Sequence, residues 1–75
     1  MVNVLDKIYL GITASGNTRV RAKLACSTKS EMPAQDGGVP GLFLDDESLI
    51  HVRQDAEVYA MDGGTWVLQY TMNAK

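Results

Sequence analysis

The sequence predicts an all-β domain, a small antiparallel β-sandwich or barrel of about five to six short strands ending in a β-hairpin meander. Three observations carry this. The stretch from Ala56 to Met72 holds two alternating runs around Asp62-Gly63-Gly64, and Asp-Gly and Gly-Gly tolerate the positive φ angles that a two-residue hairpin turn requires. Short apolar-alternating runs recur along the chain, separated by turn residues, which is the pattern of a meander. No segment carries a sustained apolar stripe at helical spacing.

The elements follow in order. Val2, Val4, Ile8, Leu10 and Ile12 share one parity, interrupted by Asp6, and Leu5 and Tyr9 fall on the other. This reads as a first strand buried on both sides. Thr13 to Asn17 is a turn by composition. From Thr18 to Cys26 the chain alternates cleanly, with Thr18, Val20, Ala22, Leu24 and Cys26 on one face and Arg19, Arg21, Lys23 and Ala25 on the other. A helix would scatter the three basic residues around its circumference, whereas a strand collects them. Ser27 to Gly41 has two prolines, three glycines and no period. Long unstructured loops are uncommon inside a compact domain and are usually functional or ordered by a partner. At most a short helical turn falls at Thr28 to Met32 or Asp45 to Leu49. Leu42-Phe-Leu44, Ser48 to Val52, Glu57 to Met61 and Thr65 to Met72 are the remaining strand candidates, and 73–75 is a tail. Along the last strand Trp66, Leu68, Tyr70 and Met72 share a parity. The expected core is Ile8, Leu10, Val20, Leu24, Val58, Trp66, Leu68 and Tyr70.

The chain of 75 residues is read as one domain, 1–75, with the Pro/Gly loop at 27–41. A domain this small buries only about 60% of the surface its unfolded chain exposes. Small domains usually add a disulfide, a metal or a partner. Cys26 is the one cysteine, so no internal disulfide forms, and oligomerisation or docking onto an assembly is the remaining device. The formal net charge of −2 argues against general nucleic-acid binding. No apolar run has transmembrane length, and the N-terminus lacks the pattern of a signal peptide. The expected site of synthesis is therefore a cytoplasm.

No catalytic, cofactor or metal constellation is visible. Cys26 and His51 lack any local elbow or third orienting group that would make them a nucleophile–base pair. Asp45-Asp46-Glu47 does not match the alternating oxygen ligands of an EF-hand loop and reads as a solvated turn. The glycines precede no Gly-Lys-Ser/Thr. Arg19, Arg21 and Lys23 form a basic stripe suited to a protein interface. With Met32, Pro33, Val39 and Pro40 of the loop, they are the candidate partner-binding residues.

Ser27-Thr28-Lys29, Met32-Pro33, Val39-Pro40-Gly41 and Val58-Tyr59-Ala60-Met61-Asp62-Gly63-Gly64-Thr65-Trp66 together resemble a pattern of small virion-associated structural proteins of tailed bacteriophages. The resemblance spans roughly residues 27–70. It departs at Asp55-Ala56-Glu57, where the pattern has an Asp-Thr-Gly-type turn. It implies a non-enzymatic virion component, a capsid decoration or cement protein or a head-associated accessory. Its implied partners are major capsid or tail subunits, and it implies a dimer or trimer with no cofactor. The alternatives are a tail accessory protein, or a small β-barrel module that binds a peptide or single-stranded nucleic acid through Tyr9, Tyr59, Tyr70, Arg19 and Arg21.

Overall fold

A computed structural model describes residues 2–72; the expected tail at 73–75 lies outside them. The protein is all-β. Six strands, β1 (Asn3–Ile12), β2 (Thr18–Cys26), β3 (Leu42–Leu44), β4 (Leu49–Val52), β5 (Glu57–Asp62) and β6 (Thr65–Thr71), lie in one sheet. A single 3-10 turn, Lys29–Glu31, interrupts the long loop. Strand order is β1-β2-β4-β5-β6, with β3 beside the first half of β2. The sheet is open and mixed: β2 runs antiparallel to β1 but parallel to β3 and β4, and β4, β5 and β6 form an antiparallel meander.

The β5–β6 hairpin closes through Gly63 and Gly64, at φ of 61° and 91°, between the paired Asp62 and Thr65. Positive φ at both central residues defines a type I′ turn, whose twist matches that of the flanking strands.

One face of the sheet holds the core. Val20, Ala22, Leu24 and Cys26 of β2 are buried there with Leu44, Ile50, Val52 and Met61. The layer that covers them is the 27–41 loop itself. Pro33 is buried, and Met32 and Val39 are half-buried against the cluster. The loop is pinned by backbone and side-chain bonds. Leu44 N–H donates to Gln35 O at 2.8 Å and Gln35 Nε2 donates to Leu44 O at 2.9 Å. Asp36 forms a bridge to Phe43, and Trp66 Nε1 donates to Pro33 O at 2.7 Å. A Cβ at Gly38 would strike the Ala34 backbone, so only glycine lets the loop fold back this closely.

The second edge of β2 is shared. Its pairing to β3 ends at Val20↔Leu44 and its pairing to β4 begins at Lys23↔Leu49. The gap is filled by Ser48, which is fully buried. Its Oγ accepts from Ala22 N–H at 3.1 Å and donates to Val20 O at 3.5 Å. A side chain thus completes the ladder where no strand reaches, as the satisfaction of buried backbone groups demands.

Several expected core residues lie elsewhere. Val20, Leu24 and Val58 are buried and Trp66 is half-buried, but Ile8, Leu68 and Tyr70 are exposed and Leu10 is half-exposed. The cause is local. β1 has extra residues at Leu5 and Leu10, and β6 has one at Gln69. Each such bulge reverses which face the following residues take. Thus Val4 lies opposite Leu24 on the core face while Ile8 lies opposite Arg21 on the other. Leu68 stays on the core side opposite Tyr59 but is exposed because β6 is an edge strand, whereas Tyr70 crosses to the back, opposite Val58. β1 was expected to be buried on both sides. It is an edge strand, and nothing covers it among the described residues.

Candidate interaction surfaces

Three sets of residues could carry chemistry or recognition. The first is the basic stripe. Arg19, Arg21 and Lys23 do share the back face of the sheet, away from the core. The acidic turn after β3 lies beside them. Arg19 pairs with Asp45 at 3.2 Å and Arg21 with Glu47 at 3.6 Å, and Asp46 Oδ1 accepts Gly63 N–H at 3.2 Å. The stripe and the acidic turn, expected as an interface and a solvated loop, are therefore largely each other's partners within the chain. Lys23 alone of the three has no ion pair among the described residues, and its cross-strand neighbour is Asp6.

The loop residues proposed to bind a partner are also placed by the structure. Met32, Pro33 and Val39 face the protein's own core, and only Pro40 is exposed. Apolar side chains in an aperiodic loop carry no sign of which surface they cover. Here they cover the nearest one, the bare face of β2.

Cys26 and His51 do not meet. Cys26 lies opposite Val52 on the core face, while His51 lies between Ala25 and Val58 on the back. Cys26 Sγ contacts Thr28 O at 3.2 Å, and burial pushes its thiol pKa up, away from reactivity. Among the described residues no group of three or more His, Cys, Asp or Glu is placed to hold a metal ion. No helix there is long and apolar enough to cross a membrane. The aromatic and basic residues of the barrel-module reading are dispersed. Tyr9 lies on the core side of β1, Tyr70 on the back of β6, and Tyr59 is bonded to Glu57.

One polar cluster was not legible in the sequence. The Tyr59 hydroxyl donates to Glu57 Oε1 at 2.8 Å, and Lys29 Nζ stands 3.3 Å from the same oxygen. The bond from Tyr59, then Lys29, holds the Glu57 carboxyl below its usual range. The same carboxylate raises Lys29 and Tyr59 above theirs. The cluster ties the 3-10 turn to β5. A depressed carboxyl contributes stability above the ordinary carboxylate range, about pH 4.3, and loses it as pH falls through the folded value. Raised lysine and tyrosine groups contribute below about pH 10 and lose it as pH rises through theirs. The wild-type advantage over Glu57→Gln, read as urea midpoint, is expected to be greatest between these limits and to shrink on both sides. An advantage constant from pH 3 to 11 would show that the cluster is not coupled to folding.

The back face of the sheet is left open. A shallow groove of about 270 Å³ runs across it, lined by Leu5, Lys23, Leu49, His51, Val58 and Tyr70 among others. Leu5 and Tyr70 belong to opposite edge strands, so the sheet curls around the groove. Ile8, Val67 and Tyr70 of this face are exposed at 56%, 42% and 55%, far above what a covered sheet face allows. The chain matches no family model, and neither curated proteins nor solved structures give a match.

Proposed function

We propose that the protein is a non-enzymatic structural component of a tailed-bacteriophage particle, a capsid decoration or head-associated accessory that binds repeated sites on the virion. The observation that carries this reading is the bare side of a pinned sheet. β1 presents Ile8 on the back and Tyr9 and Ile12 on its other face, with Leu5 at the bulge, all at 56–66% exposure, on a scaffold whose loop is already bonded down. Exposed apolar area of this kind marks an interaction surface. The resemblance of residues 27–70 to virion proteins supplies the context. Docking is assigned to β1 and the groove rather than to the loop, because the loop is occupied by the core. A capsid or tail subunit would pack apolar side chains against the exposed side chains of β1 and into the groove. Many copies on a repeating lattice would turn weak single contacts into durable attachment.

The test is binding of purified protein to assembled heads and, separately, to isolated tails, with occupancy read by sedimentation and quantified against the number of lattice sites. Saturable binding to heads, reduced at least tenfold by the paired change Ile8→Asp and Tyr9→Asp, is the expected result. Binding to tails alone would move the protein to a tail accessory position. Failure to bind either, with capture of single-stranded nucleic acid that collapses in salt, would replace this reading with that of a binding module.

A further inference from the structure

The two free edges of the sheet differ in how they are guarded. Edge strands expose unpaired N–H and C=O groups and pair with other strands unless charges, prolines or bulges prevent it. β1 carries Asp6 and Lys7 at its centre, a bulge on either side at Leu5 and Leu10, and Gly11. β6, Thr65–Thr71, has no charged residue and no proline, and one bulge at Gln69. Beside the polar Thr65, Gln69 and Thr71, it exposes apolar side chains on both faces, with Val67 and Tyr70 on the back and Leu68 on the core side at 47% exposure.

We infer that β6 is the interface of a homodimer in which the β6 strands of two copies pair antiparallel about a two-fold axis. The occupant is a second copy for a chemical reason. The edge needs an extended, uncharged strand with apolar flanks, and a second β6 is one by identity. β1 of another copy is disfavoured, because Asp6 and Lys7 would sit without partners against uncharged residues. That guarded edge also limits growth: a β6-to-β1 contact would be head-to-tail and would propagate along the sheet, whereas a β6-to-β6 contact closes at two. A two-fold axis normal to the sheet keeps like faces together, so Val67 and Tyr70 of both copies join one continuous back face. The inference stands apart from the virion reading, since it concerns only contacts between copies.

The experiment is light scattering of the whole chain from micromolar to millimolar concentration, with amide exchange followed at the same concentrations. A dimer mass that falls to monomer in Leu68→Lys and in Val67→Lys, both still folded by circular dichroism, is expected. Ile8→Lys on β1 should leave the dimer intact. Exchange across Thr65–Thr71 should slow at least fivefold on concentration while Asn3–Ile12 is unchanged. A monomer at every concentration, growth beyond a dimer, or slowed exchange on β1 in place of β6 overturns the inference. Should both lysine variants unfold, the exchange pattern of the wild type decides alone.

Discussion

Trp66→Ala is expected to destabilise the protein by about 3 kcal/mol, the lower end for truncating a large buried aromatic, because the ring is half-buried. A chain of this size has a total stability of about 4–11 kcal/mol, so the variant stands near the limit of folding. Two losses combine. The ring packs against the core cluster, and its Nε1–H holds Pro33 O at 2.7 Å. The second is the more consequential, because Pro33 belongs to the loop that covers the core. Trp66→Phe separates them: it keeps most of the packing and removes the donor, for a cost of about 1 kcal/mol. Urea unfolding measures both, and limited proteolysis reports whether 27–41 is cut faster. Should Trp66→Ala shift stability by less than about 1 kcal/mol, the loop is held by Gln35 and Asp36 and not by the indole.

What the sequence showed of this arrangement depended on whether a signal was local. The type I′ turn at Gly63-Gly64 is local chemistry and was readable. So was the alternation of β2, because no bulge interrupts Thr18 to Cys26 and its face pattern survives into the fold. The parity of β1 and β6 was not. A period-2 reading assumes an unbroken pleat, and the extra residues at Leu5, Leu10 and Gln69 exchange the faces without leaving any mark in composition. This is why Ile8 and Tyr70 were expected in the core and are found outside it. Mixed pairing was also hidden. Parallel pairing of β2 with β3 and β4 depends on where a fifteen-residue connection returns, and that is set by contacts distant in sequence.

The candidate surface divides in the same way. The basic stripe was legible as a stripe, but its partners Asp45 and Glu47 lie across a turn that only the fold brings near. The loop's proline, methionine and valine were visible as apolar residues in an odd place. That they seal their own core, rather than another protein's surface, follows from Trp66, Gln35 and Asp36 holding the loop down. The exposed residues that replace them as interface candidates, Leu5, Ile8 and Tyr9 on β1 and Val67 and Leu68 on β6, looked in sequence like any core strand. Apolar alternation reports that a face avoids water, not whose surface covers it.

Ser48 left no signal at all, and its replacement by valine is the other change of large expected effect. Ser48→Val should cost roughly 2–6 kcal/mol. Removing the hydroxyl strands Ala22 N–H in a site where Ala22 is 2% and Ser48 0% exposed, at about 1–3 kcal/mol for a buried donor left without an acceptor. Forcing the second methyl into a filled core adds about 1–3 kcal/mol. Val20 O is spared, because it also accepts Asp45 N–H at 2.8 Å. Ser48→Ala isolates the first cost and Ser48→Thr, which keeps a hydroxyl, recovers part of it. The ordering Thr, then Ala, then Val in falling urea midpoint is the expected result; an alanine variant within about 0.5 kcal/mol of wild type would mean that the hydroxyl does not close the edge of β2. The consequence reaches the proposed docking strand. β1 is held to the sheet by β2 alone, and β2 is fixed on its other side partly through the bond from Ala22. Loosening that edge should therefore raise amide exchange along β1 before the β5–β6 hairpin responds, and weaken attachment through β1 even where the protein remains folded.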